Sequence, residues 1–158
     1  MAFSLVQADV EKLDYILREL LIQSESNGCL VCDYSGYVLA QQGVEDQQDP
    51  LLISALGAGV FSASRELARL LGEEKFSAVF HQGERKSIFI CAVNLDVLLV
   101  VIFTNDASVG LVKLYAGPAT AAMREVLEEV RLREETVPVP EHTFVLMEEA
   151  GGVFSSKP

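Results

Sequence analysis

The 158-residue chain has no tryptophan, only two histidines and only three cysteines. The histidines, His81 and His142, have no neighbours at metal-ligand spacing, and each reads as a solvated or hydrogen-bonded structural side chain. An odd number of cysteines argues against a secreted disulfide framework. Positive charge is scarce too: 12 Lys and Arg against 23 Asp and Glu leave a net charge of −11. Nucleic acid and anionic membranes are held by clustered Lys and Arg, so neither is an expected partner. The acidic surface serves solubility. The longest apolar run, residues 97–103, is far short of the ~18 residues that span a bilayer, and no membrane insertion is expected. Met1-Ala2-Phe3-Ser4 has no basic region, and Asp9 and Glu11 follow closely. A signal peptide is not expected, and the expected location is cytoplasmic.

Catalytic motifs are missing as well. There is no G-x-x-x-x-G-K-[ST], no complete G-x-G-x-x-G and no G-x-S-x-G. Gly57-Ala58-Gly59 is a lone G-x-G inside a helical pattern. Glu128, Glu129, Glu134 and Glu135 read as a solvated helix face. No nucleophile, base and oxyanion site assemble. The expectation is a chain that is not an enzyme, with no metal and no cofactor.

What is present is apolar: half of the residues are hydrophobic, which excludes a mainly disordered chain. A chain of this length forms one domain, which buries roughly 70% of the surface exposed on unfolding. Val6, Val10, Leu13, Leu17 and Leu20 recur at helical spacing and predict a first helix over residues 6–22. Residues 29–32 and 37–40 predict a hairpin around Asp33-Tyr34-Ser35-Gly36. Cys29 and Cys32 form a C-x-x-C string within its first strand, where an offset of three sends them to opposite faces. They therefore read as core, as does Cys91 in a later strand.

The second helix is marked at both ends, by Asp49 and Pro50 at its start and Gly72 at its stop. At ~100° per residue, Leu52, Leu56, Val60, Ala63, Leu67 and Leu70 share one side, which is expected to lie on a sheet. Ser54, Ala58, Ser62, Arg65 and Arg69 fall roughly opposite. Between them runs a strip of Gly57, Ser64 and Ala68, with Phe61 beside it, suited to the close approach of another helix. Strands are expected over residues 77–81, 87–92 and 97–104, the last apolar almost throughout and so buried on both faces. A third helix starts near Ser108, is expected to be kinked or interrupted at Pro118, and ends near Glu135. Residues 136–158 hold three of the five prolines and read as an extended arm, with residues 142–147 apolar enough to dock. The order is α-β-β-α-β-β-β-α around a five-stranded antiparallel sheet, an α/β (α+β) sandwich.

This order resembles the roadblock/dynein light chain family. So do the hairpin Val31-Cys32-Asp33-Tyr34-Ser35-Gly36-Tyr37-Val38-Leu39-Ala40 and residues 98–106 followed by Gly110-Leu111-Val112-Lys113-Leu114. Leu70-Leu71-Gly72-Glu73-Glu74-Lys75-Phe76, followed by His81-Gln82-Gly83-Glu84-Arg85, is similar to the bacterial, MglB-like branch. The resemblance covers about residues 5–135, giving a roadblock domain over 1–135 and a tail over 136–158. The tail's prolines depart from the C-terminal helix expected in that branch.

The resemblance implies a profilin-like sandwich that dimerises side by side. Second helices would pair through Gly57, Phe61, Ser64 and Ala68, and the following strand through Ser77, Val79 and His81. It implies a small Ras-like GTPase as partner, bound across the two protomers; the expected seat is the outward face of the paired helices, with Ser54, Ala58, Ser62, Arg65 and Arg69 as candidates. It further implies GTPase activation by repositioning the partner's own catalytic groups, with no arginine finger, in the service of bacterial cell polarity. The alternative is a homo-oligomeric scaffold or sensor module with no GTPase partner, since fold does not fix function.

Overall fold

The structure is a computed structural model that describes residues 4–44 and 48–136. Its elements are α1 (Gln7–Ser24), β1 (Gly28–Asp33), β2 (Val38–Gln42), α2 (Pro50–Leu70), β3 (Ala78–His81), β4 (Lys86–Ala92), β5 (Val97–Thr104) and α3 (Val109–Thr136). This is the expected order. Of the arm expected over residues 136–158, Thr136 is the last residue of α3, and residues 137–158, with His142, lie outside the described residues.

All strand pairs are antiparallel, in the order β2-β1-β5-β4-β3. β5 is central and is buried along almost its whole length. Its side chains alternate. Val97, Leu99, Val101 and Phe103 join the core beneath α1 and α3, whereas Leu98 and Val100 join the core beneath α2. The cysteines follow the same alternation. Cys29 and Cys91 lie on the α1/α3 side and Cys32 on the α2 side. All three are free, and burial pushes their thiols up to about 12. Thiols held neutral in this way are poor nucleophiles.

α1 and α3 are joined at one end by an ion pair. The buried Asp9 carboxylate accepts from Arg133 at 2.5 Å and from the Val6 N–H at 2.9 Å. The bond from Arg133, before the others, holds the Asp9 carboxyl below its ordinary value. Lys12 meets Glu129 at 3.1 Å further along. α3 runs unbroken through Pro118, against the expected interruption. Leu114, whose carbonyl loses its partner at Pro118, has an exposed side chain, and Pro118 is exposed as well. A carbonyl on an exposed side of a helix is open to solvent, so the proline's missing N–H is tolerated there.

Candidate functional site

α2 starts as its residues dictate: Asp49 accepts from the Leu51 N–H at 3.0 Å, with Pro50 next. Gly72 ends it with φ at +84°. Its orientation, however, is nearly the reverse of the one expected. Ser54, Gly57, Ala58, Phe61 and Ala68 face inward, and Leu52, Leu56, Val60, Leu67 and Leu70 face water.

Close contact with the sheet selects this side. The Ser54 hydroxyl, fully buried, donates to the Gly36 carbonyl at 2.5 Å. Gly36 has φ +92°, and a Cβ there would lie 2.7 Å from Ala55 Cα. A Cβ at Gly57 would meet Val100 at 3.5 Å and Ile90 at 3.7 Å. Bulky side chains come from the sheet, so the helix answers with small ones. Phe61 fills the space left over, 1% exposed. Its ring lies 5.9 Å from Tyr34 and 5.2 Å from Phe76.

Several expected roles change with this geometry. Ser54 and Ala58 are buried within the protomer and cannot receive a partner. Phe61 packs in the protomer's own core beneath α2 and Ala68 is buried, whereas Gly57 faces Val100 and Ile90 and also borders an open hollow beside α2. The other residues remain at or near the surface. Arg65 lies over the Tyr34 ring, its guanidinium carbon 5.0 Å from the centroid. Arg69 pairs with Glu66 at 2.6 Å, both exposed. Ser62 and Ser64 are half-buried, and Ser77 and His81 are exposed. Val79 packs at the margin of the α2 core.

The residues missed as a surface are Leu52, Leu56, Val60 and Leu67. From Leu56 onward, with Ala63 and Leu70, they repeat at intervals of four and three, the spacing of a coiled-coil seam. α2 is the one described helix whose length and composition would also suit a bilayer span. No charged residue occurs from 50 to 64, in a chain of net charge −11. Bare charge patterning could have flagged it, because a helix without a polar face is covered on both sides.

Beside the outward row runs an apolar groove. It consists of two adjoining hollows of about 370 Å³ each, both bordered by Ile53, Leu56, His81 and Ile88. Ile90, Val100 and Ile102 complete the floor. The groove reaches β3, which pairs with β4 on one side and with no described strand on the other. Within β3, Val79 and His81 point to the α2 side. Ala78 and Phe80 point to the other, where Phe80 stacks on Phe103 at 6.0 Å. The turn beyond β3 is fastened to the loop after β5: the Arg85 carbonyl accepts from the Asn105 N–H at 3.2 Å, and the Glu84 carbonyl accepts from the Asn105 side chain.

Comparison with known proteins agrees with this architecture. The family model described as Roadblock/LC7 domain matches residues 12–103. The gliding protein MglB from Thermus thermophilus is 31% identical, with a TM-score of 0.75, over 81% of this chain and 97% of that one. MglB from Myxococcus xanthus is 28% identical, with a TM-score of 0.73, over 80% and 95%. An MglB structure described as having a tetrameric arrangement is 30% identical, with a TM-score of 0.77, over 82% and 97%. The chain belongs to the Roadblock/LC7 domain family.

Proposed function

We propose that this chain is a homodimeric, non-catalytic regulator of a small Ras-like GTPase. The observation that carries the dimer is the charge-free row Leu52, Leu56, Val60 and Leu67, exposed beside an unpaired strand edge. Exposed apolar rows and open sheet edges are both unfavourable in an isolated protomer. A second copy related by a two-fold axis covers both at once, helix to helix and strand to strand. Elsewhere two copies repel through a charge of −11 each; along this row nothing does.

The GTPase is supported by the likeness to MglB at about 30% identity over most of both chains. Ser62, Arg65 and Arg69 lie beyond the apolar row and remain candidates for that contact. Arg65 is held by Tyr34 and Arg69 by Glu66, so each presents charge from a fixed place rather than on a projecting element. They contribute binding and steering. Stimulation then comes from holding the partner's switch segments in their active arrangement, a population shift.

The test is hydrolysis by a GTP-loaded partner at saturating regulator, with Arg65, Arg69 and Arg85 each changed to alanine. An inserted arginine finger is worth roughly 10³–10⁵ in rate. The expected plateau stays within about tenfold for every variant, which is 1.4 kcal/mol of barrier. A collapse for Arg85→Ala with binding intact identifies a finger and overturns this mechanism. A dimer that binds no GTPase in any nucleotide state is the scaffold instead.

A further inference from the structure

We infer that Gly57 forms a seat for a second copy: the hollow beside it receives a leucine side chain from the other copy's α2, one of Leu52, Leu56 and Leu67. This rests on the homodimer proposed above and names the residue that sets how closely the two copies approach.

Glycine is an expensive residue at this place. Gly57 lies well inside α2. In a helix interior, glycine lowers the folding equilibrium constant about fivefold relative to alanine. The protomer supplies no reason for that loss. A Cβ at Gly57 would meet Val100 at 3.5 Å and Ile90 at 3.7 Å, which are ordinary packing distances. Gly36 is the contrast. Its φ is +92° and a Cβ there would lie 2.7 Å from Ala55 Cα, so the protomer itself demands glycine. At Gly57 the demand comes from outside the protomer.

The space beside it is shaped for an apolar side chain. Gly57 borders one hollow of about 370 Å³, between Ile53 and Val60 of α2 and Ile88, Ile90 and Val100 of the sheet. Val100 and Ile90 are the side chains that a Cβ at Gly57 would approach. A methyl group added there stays within the protomer's tolerance but narrows the floor of the hollow. Extra bulk in a filled apolar contact forces its neighbours apart. Glycine thus keeps the recess deep at the expense of the helix.

The occupant is another copy of the same patch. Copies related by a two-fold axis present identical surfaces, so a patch that pairs with itself must carry both projections and the recess that takes them. This patch carries both. Leu52, Leu56 and Leu67 are exposed on the outward side of α2. Leu56 lines the hollow itself, and Leu52 lines the hollow adjoining it. No Asp, Glu, Lys or Arg lines the hollow beside Gly57. Two chains of net charge −11 therefore meet there without like charges in contact.

The experiment is sedimentation equilibrium of the full chain and of Gly57→Ala, with urea unfolding of each below its dissociation constant. The two readouts are expected to move in opposite directions. The protomer of Gly57→Ala should be as stable as the unaltered one, or up to about fivefold more so in its folding equilibrium constant. Its dissociation constant should be at least about tenfold larger, because the contact is made twice and about threefold at each seat multiplies. Gly57→Ala is then combined with Leu52→Ala, Leu56→Ala and Leu67→Ala in turn. For the leucine that enters the seat, the two effects on association are not additive. A smaller change in the dissociation constant, a less stable Gly57→Ala protomer, or additivity at all three leucines overturns the inference with the dimer intact. An unaltered chain that is monomeric at every concentration overturns the dimer itself.

Discussion

The core between the sheet and the pair α1 and α3 holds twenty-one buried apolar residues among those described, leucines from α1 included. The core between the sheet and α2 holds seven, of which the helix contributes only Ala58 and Phe61. The first face has Leu13, Leu17 and Leu20 of α1 inside and the Lys12–Glu129 pair outside. The second has small residues inside and leucines outside. A helix that is apolar on its solvent side has not finished burying its surface. The comparison shows one face closed within the protomer and the other left with leucines exposed on its solvent side.

That contrast can be broken most severely at its thin point. Phe61 is the only large side chain of α2 that is fully buried in its core. Phe61→Ala is expected to cost about 3–5 kcal/mol of protomer stability. Urea unfolding below the dimer's dissociation constant measures it. Stability close to that of the unaltered chain would mean that the inner face of α2 is misassigned.

The thick face can be sharpened through Asp9. Its carboxylate receives Arg133 and the Val6 N–H, and is buried. Asp9→Asn is expected to cost about 1–2 kcal/mol, the range of a charged hydrogen bond together with a helix cap. Because its folded-state value is depressed, this contribution is complete above the ordinary carboxylate value of 3.8 and fades as pH falls below it. Unfolding free energies of the two proteins, compared from pH 7 downward, should converge in acid. A gap that persists below pH 3 would show that the ion pair is not its source.

Much of this was legible from residue types. Asp49, Pro50 and Gly72 mark the ends of α2, and the all-apolar run at 97–103 marks a strand covered on both faces. The alternation that separates Cys29 from Cys32 follows from strand geometry alone. The facing of α2 was not legible from hydrophobicity, because the larger apolar residues point outward. What decides the orientation is the bulk on the sheet, at Ile90 and Val100, together with the close approach at Gly36. These are features of other segments, brought to α2 only by the fold. The same cause misassigned Ser54 and Ala58 as partner-binding and Phe61 as a dimer contact. Size complementarity between layers, rather than hydrophobicity within one helix, carries the information.

The most direct test of the account is the mass of Leu56→Glu in solution. Leu56 is 62% exposed in the protomer and lies in the middle of the outward row. A glutamate there can keep its carboxylate in water in the protomer, yet places two unpaired carboxylates in the dimer, and isolated charges are not tolerated in an apolar contact. Light scattering with the circular dichroism spectrum is expected to show the unaltered chain at twice its chain mass. Leu56→Glu should be folded and at the mass of one chain. A variant that remains dimeric, or one that unfolds, would contradict the claim that the second face of the sheet is closed by another copy.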